Sequence, residues 1–187
     1  MKRHTSKFKY TFVTVACLCA AFPVFSQGFA DDLTELYRDL RDADSTVSDK
    51  LAAEIRFRWK TSGSQTVDLL VTRGTDALAR RDAVAASEHL TAAIGFAPEF
   101  ATAYLERAKS YVMLDMLGPA VADLKSALDL DPNYFDAVAV LGQVFERLGE
   151  FELALRTYEQ ALALYPHFTE VQSAYDALNQ AHGDTAL

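Results

Sequence analysis

The residues that could carry out chemistry are few and widely spaced in this chain of 187 residues. Acid–base catalysis and metal binding both need histidine, cysteine or carboxylate side chains at short, defined spacings. Beyond residue 30 the sequence has no cysteine, and three histidines share no ligand spacing: His89, His167 and His182. The GxGxxG, P-loop, HExxH and GxSxG patterns are also missing. The sequence therefore predicts a protein that is not an enzyme and that uses no metal and no cofactor.

One acidic pair, Asp129 and Asp131, suggests a divalent-ion site by its spacing. Both residues lie within three positions before Pro132, where a helix is expected to end and polar turn residues are common. We therefore interpret the pair as turn residues. A small hydrolase or metal-dependent enzyme on a helical scaffold is kept as a third hypothesis, which a tight metal stoichiometry or a perturbed His89 would support.

The segment 1–30 has the layout of a secretory signal peptide. An uncharged, mostly apolar stretch at positions 10–25 follows a basic head that contains Lys2, Arg3, Lys7 and Lys9. The stretch is shorter than the roughly 20 apolar residues that a membrane-spanning helix needs, so cleavage is predicted over permanent anchoring. Small residues allow the cut after Ser26 or after Ala30.

Removal of this leader changes the chemistry of the chain. Cys17 and Cys19 lie inside the leader, and the apolar run continues past both, which argues against a lipid-attached cysteine. The leader holds four of the 18 Lys and Arg residues and none of the 26 Asp and Glu residues, so cleavage moves the formal net charge from −8 to −12. Such an acidic chain is a poor nucleic-acid binder. We predict an exported, periplasmic protein that associates with a membrane only if the leader stays uncleaved.

A repeat with a period of 34 positions organises the rest of the chain. Three prolines are separated by this period, and small and apolar residues recur at the same interval. The columns are Pro98, Pro132 and Pro166; Gly74, Ala108 and Gly142; Ala86, Ala120 and Ala154; Ala93, Ala127 and Ala161; Leu90, Leu124 and Tyr158. Aligned on the prolines, the blocks run 67–100, 101–134 and 135–168 without insertion or deletion.

Each block is predicted to form one helical hairpin, because two antiparallel helices approach closely only where side chains are small. The columns resemble the signature of the tetratricopeptide repeat, best in the third block at Leu141, Gly142, Phe145, Ala154, Tyr158 and Pro166. The resemblance implies an all-α solenoid of three repeats. Residues 169–187 are predicted to form a C-terminal capping helix and tail. Residues 31–66 are predicted to form two helices, a degenerate repeat being the open alternative, with Trp59 packed in a core.

The resemblance also implies a binding surface, because stacked tetratricopeptide hairpins form an inner groove from the first helix of each block. The family pattern places nine residues there: Asp68, Val71, Thr75, Leu105, Glu106, Lys109, Asp136, Val140 and Gln143. Their mixed character favours an extended protein segment of mixed apolar and polar residues. Chaperone-adaptor members of the family hold a terminal carboxylate with Lys, Arg and Asn, and this chain lacks those residues at the matching positions.

The sequence as a whole favours an exported interaction module that acts as a scaffold or adaptor in an envelope or periplasmic complex. Its partner would be another protein or a peptide segment. The alternative keeps the fold and retains the leader, which would make the chain a membrane-anchored accessory subunit of a secretion or biogenesis machine. The fate of the leader separates these two hypotheses.

Overall fold

The computed structural model describes residues 27–183, and this part of the chain consists of nine α-helices and no strand. The prediction of an all-α fold is therefore confirmed for these residues. Residues 1–26, which hold most of the predicted signal peptide, and the tail at 184–187 lie outside them. The helices are α1 (Gln27–Asp42), α2 (Ser45–Trp59), α3 (Gln65–Ala79), α4 (Ala83–Phe96), α5 (Ala101–Met113), α6 (Leu117–Leu130), α7 (Phe135–Arg147), α8 (Phe151–Leu164) and α9 (Thr169–Gly183).

Three hairpins, α3–α4, α5–α6 and α7–α8, follow one another along the chain and share one turn geometry. Each hairpin turns at a residue in the left-handed region: Arg81 at φ 61°, Asp115 at φ 60° and Gly149 at φ 77°. These residues are separated by the period of the repeat. In each turn the backbone N–H of the next residue donates a hydrogen bond to the carbonyl of the residue five positions before it. This conformation strains residues with a Cβ atom, so glycine is favoured at this position. The third hairpin has glycine there, whereas the first two have Arg81 and Asp115.

Small residues set the distance between the two helices of a hairpin. A Cβ atom added to Gly142 would lie 2.5 Å from Cε1 of Tyr158, and one added to Gly74 would lie 2.6 Å from Cγ of Leu90. Tyr158 and Leu90 are buried and belong to the apolar columns of the sequence. The large side chain of the second helix therefore fills the space that glycine leaves on the first.

The helices α1 and α2 do not stack on α3 as a preceding repeat would. The buried cluster of the first repeat, which includes Val67 and Leu90, contains no residue of α1 or α2. Instead, Ala52, Ile55 and Trp59 of α2 share a core with residues of α5, α6 and α7. We call α1 and α2 the N-terminal hairpin. Its polar contacts reach the start of α5, the start of α7 and the turn between α8 and α9.

At the other end of the array, α9 packs on the third repeat. Val171 and Leu178 are buried in the cluster that also holds Tyr158 and Ala161 of α8. Within residues 27–183, no helix combines the length and the apolar character needed to cross a bilayer.

Replacing Gly142 with Ala tests the packing of the third hairpin. We expect Gly142→Ala to lower the free energy of unfolding by about 1–3 kcal/mol, because the ring of Tyr158 must move. The matched control is Gly95→Ala in α4, where an added Cβ meets no atom within 4 Å. That change should raise stability by about 0.5–1 kcal/mol through helix propensity. Urea unfolding followed by circular dichroism measures both, and equal stabilities would contradict the packing analysis.

Candidate functional site

A cavity of about 550 Å³ opens between the end of α2 and the inner faces of α3, α5 and the start of α7. We call this cavity the groove. Its volume lies in the range of known ligand pockets, about 300–1,000 Å³. Seven of the nine residues that the family pattern placed on the inner surface line it: Asp68, Val71, Thr75, Leu105, Glu106, Lys109 and Asp136.

Two residues of that set lie elsewhere. Val140 is half-buried and packs against the core that α2 shares with α5, α6 and α7, and Gln143 is exposed outside the groove. Both belong to α7, from which only Asp136 reaches the groove lining. The third repeat therefore contributes one residue where the sequence predicted three.

The repeat explains which side chains face the groove. On α3 the lining residues are spaced three and four positions apart, which is the spacing of one helix face. The lining residues of α5 follow one repeat period later in the same order. The two sets are Asp68, Val71, Thr72 and Thr75 on α3 and Thr102, Leu105, Glu106 and Lys109 on α5.

The end of α2 supplies a wall of the groove that the sequence did not predict, formed by Arg56, Trp59 and Lys60. Trp59 is 8% exposed, and its ring centroid lies 4.0 Å from that of Tyr134 and 4.7 Å from that of Phe135. It therefore packs in a core, as predicted, and also lines the groove. Partners this distant along the chain leave no signal in local periodicity.

Most charged groups of the groove are already paired. Arg56 donates two hydrogen bonds to Asp136, from Nε at 2.8 Å and from Nη2 at 2.7 Å, and these bonds raise its pKa. Lys109 donates to Glu106 at 2.7 Å. Bidentate pairs such as that of Arg56 fix geometry as well as charge.

The remaining charges of the groove differ from these pairs. Asp68 accepts hydrogen bonds from the backbone N–H and the hydroxyl of Ser62, at 2.8 and 2.6 Å. Lys60 is exposed and forms no ion pair within the part of the chain that the structure describes. Within that same part of the chain, Lys60 is thus the one charged lining residue whose side chain has neither a hydrogen bond nor an ion pair, whereas Asp68 keeps its negative charge beside a neutral donor.

Polar contacts fasten the N-terminal hairpin beside the groove. Tyr37 donates to the carboxylate of Asp131, and the indole N–H of Trp59 donates to the hydroxyl of Tyr37 at 2.7 Å. The hydroxyl of Thr102 donates to the backbone carbonyl of Trp59 at 2.5 Å. These bonds satisfy polar groups that would otherwise be buried without partners.

A further polar contact lies at the far end of the same hairpin, where Tyr165 donates to Asp49. Tyr165 is buried, and burial together with this hydrogen bond raises its pKa to about 12. Burial likewise raises the pKa of Tyr134 well above its ordinary value.

The other residues considered for chemistry lie apart from the groove. His89 is half-buried in α4, His167 is exposed, and His182 stacks on Phe151 with ring centroids 3.9 Å apart. Asp131 accepts bonds from Tyr37 and from the backbone N–H of Asn133, which suits a turn residue. Among residues 27–183, no group of three or more His, Cys, Asp or Glu side chains is placed to hold a metal ion.

Comparison with known proteins identifies similarity to tetratricopeptide repeat proteins. The family model described as "Tetratricopeptide repeat" matches residues 116–178. A TPR repeat-containing protein of Rhizobium etli is 28% identical over 135 residues, which cover 72% of this chain and 66% of that protein. Several other curated relatives share only about a quarter of their length with this chain. The chain thus spans less than two thirds of the length of these curated relatives.

Solved structures have the same fold. The first TPR of Spaghetti (RPAP3), bound to the HSP90 peptide SRMEEVD, has a TM-score of 0.62 and 24% identity, and the match covers 64% of this chain and 98% of that one. The TPR2B domain of yeast Sti1, in a complex with pHsp70, has a TM-score of 0.60 and 24% identity, over 63% and 99% of the two chains. The solenoid of helical hairpins predicted from the sequence is therefore confirmed.

The buried Tyr165 should make stability depend on pH under alkaline conditions. Its ordinary pKa is 10.0 and its pKa in the folded chain is about 12, so between these values the unfolded chain loses a proton that the folded chain keeps. Stability therefore falls as pH rises through this window. Tyr165→Phe should make the fall shallower by at most about 1.4 kcal/mol per pH unit. Urea unfolding at several pH values measures the slope, and an unchanged slope would contradict this assignment.

Proposed function

Because this chain belongs to the tetratricopeptide repeat family, we propose that it is a non-enzymatic interaction module that binds an extended segment of another protein in the groove. The observation that carries the proposal is the groove itself. It joins apolar and polar side chains of α2, α3 and α5 in one cavity. Structural neighbours bound to peptides of other proteins support this function.

The groove lining defines the chemistry of the segment. Val71 and Leu105 form an apolar floor beside Trp59, which suits an apolar side chain of the ligand. The hydroxyl groups of Thr72 and Thr75 donate to carbonyls of their own helix, and their oxygens can still accept bonds from peptide N–H groups. A carboxylate of the ligand complements the uncommitted Lys60. The expected ligand is therefore an extended segment of mixed apolar and polar residues with at least one acidic side chain.

The positions matching the terminal-carboxylate clamp argue against a purely acidic tail as the ligand. They hold Val71, Thr75, Glu106, Asp136 and Val140, of which two are anionic. Asp136 is already bonded to Arg56 and Glu106 to Lys109. The cation that remains lies on the N-terminal hairpin and not on the repeats. We accordingly propose an internal segment of the partner as the ligand.

The proposed location is the periplasm of a Gram-negative bacterium, where the chain would act as a scaffold or adaptor in an envelope complex. This part of the proposal rests on the leader pattern of residues 1–30. The net charge of −12 after cleavage favours a protein partner over a nucleic acid. The membrane-anchored subunit is the alternative if the leader is retained.

Filling the groove should abolish capture of the partner. The test variant is Thr72→Glu with Thr75→Glu, which places two long anions in the cavity, where they fill space and repel a ligand carboxylate, without changing a core residue. The full chain with a C-terminal tag is used to capture proteins from periplasmic and membrane extracts of a Gram-negative bacterium, and bound proteins are quantified by mass spectrometry. We expect the amount of the captured partner to fall at least tenfold.

The matched control for this capture is Ala92→Glu with Ala122→Glu. Both alanines are exposed, on α4 and α6, and neither lines the groove. This control adds the same charge at the same helical content and should capture as much partner as the unchanged chain. Equal capture by the groove variant would refute the assignment of the groove.

Expression of the full chain in a Gram-negative host tests the leader. We expect the exported protein to begin at Gln27 or Asp31, as N-terminal sequencing after cell fractionation would determine. Val15→Arg, which places a charge in the apolar stretch, should block export and serves as the control. A chain that retains Met1 in the membrane fraction would instead favour the membrane-anchored subunit.

A further inference from the structure

We propose that the N-terminal hairpin is part of the ligand site, with Lys60 as the carboxylate-binding residue and Arg56 as the residue that positions this wall. The inference rests on the proposed function of the groove. It adds a site outside the repeats, assigns the acidic group of the ligand to one residue and links ligand binding to the seating of the hairpin on the repeats.

The lining of the groove gives the first argument. Two walls come from α3 and α5, and the place that α7 would take in a three-repeat groove is held by the end of α2. Val140 and Gln143 of α7 do not line the cavity, whereas Arg56, Trp59 and Lys60 do. A segment that fills this cavity therefore contacts the hairpin as well as the repeats.

The attachment of the hairpin gives the second argument. Arg56 binds Asp136 with two hydrogen bonds, and its guanidinium carbon lies 5.0 Å from the ring centroid of Phe135. The carbonyl of Trp59 accepts a bond from Thr102. These contacts hold the wall in place before a ligand arrives, and a preorganised wall lowers the entropy cost of binding.

Charge complementarity gives the third argument and defines the occupant. The anions Asp68, Glu106 and Asp136 already accept hydrogen bonds within the chain. Lys60 alone among the charged lining residues of the described chain has no such partner. A peptide that places a carboxylate at Lys60 and an apolar side chain on the floor satisfies both features. Trp and Arg side chains are also over-represented among residues that dominate binding energy.

Contact of one ligand with both the N-terminal hairpin and the repeats has a thermodynamic consequence. A ligand that touches both the hairpin and the repeats must stabilise the hairpin on the repeats, because it binds only the seated form with full affinity. Ligand binding should therefore slow hydrogen exchange of the α2 backbone amides. A ligand that touches the repeats alone would leave that exchange unchanged.

The experiment uses the full chain and a phage-displayed library of random linear peptides as the probe. Peptides selected on the unchanged chain are synthesised, and their affinities are measured for several variants. Lys60→Glu reverses the charge of the wall, and Lys50→Glu makes the same change on an exposed residue of α2 outside the groove. We expect the selected peptides to share one acidic residue near an apolar one and to bind Lys60→Glu at least tenfold more weakly, with Lys50→Glu unaffected.

A second pair of variants tests the positioning role of Arg56. Arg56→Glu should detach the hairpin, which exposes Trp59 and shifts its fluorescence, and should weaken peptide binding at least tenfold. Arg56→Glu with Asp136→Arg restores the ion pair in the opposite orientation and should recover both the fluorescence and most of the affinity. Loss of affinity in both variants, without recovery, would overturn the positioning role.

The outcomes separate this inference from the proposed function. Peptides that lose affinity for Thr72→Glu with Thr75→Glu, but bind Lys60→Glu and Arg56→Glu normally, overturn the role of the hairpin and leave the groove as the binding site. If no peptide depends on Thr72 and Thr75, the proposed function fails, and the inference fails with it. Dependence on both sets of residues, with slower exchange in α2, supports the inference.

Discussion

The contact between a small residue on the first helix and a large one on the second is the constraint on which the other features depend. Gly142 against Tyr158 and Gly74 against Leu90 leave no room for a Cβ atom, so the two helices lie close together in the first hairpin and in the third. Because the same pairing of columns recurs in every block, successive hairpins stack in the same orientation. This stacking aligns the inner faces of α3 and α5 and brings their side chains into one groove.

The repeat array was predictable because its determinants are periodic. Small residues, large apolar residues and prolines recur at one interval, and each block specifies its own hairpin through contacts between residues close in sequence. The left-handed turn residues were harder to recognise. Arg81 and Asp115 occupy the conformation that Gly149 adopts without strain, so residue type alone does not reveal the column. The turn is imposed by the two helices that it joins.

The N-terminal hairpin could not be placed from the sequence for the opposite reason. Its polar partners lie far along the chain, as in the contacts of Trp59 with Asp131 and of Tyr165 with Asp49. Periodicity indicates that α2 has a buried face, and it contains no information about the surface that the face covers. The family pattern consequently assigned Val140 and Gln143 to the groove, although the end of α2 forms that wall.

The local charge of the groove differs from the charge of the chain, and this difference decides which ligands are compatible with it. A formal net charge of −12 after cleavage would by itself disfavour an acidic ligand. Long-range repulsion is screened within about 8–10 Å at moderate salt. Inside the groove, Arg56 and Lys109 neutralise Asp136 and Glu106, whereas Asp68 is hydrogen-bonded to the neutral Ser62. Lys60 is the cation of this lining that no anion of the described chain neutralises. The net negative charge of the chain thus disfavours a nucleic acid as a ligand and is compatible with a peptide that carries a single acidic side chain.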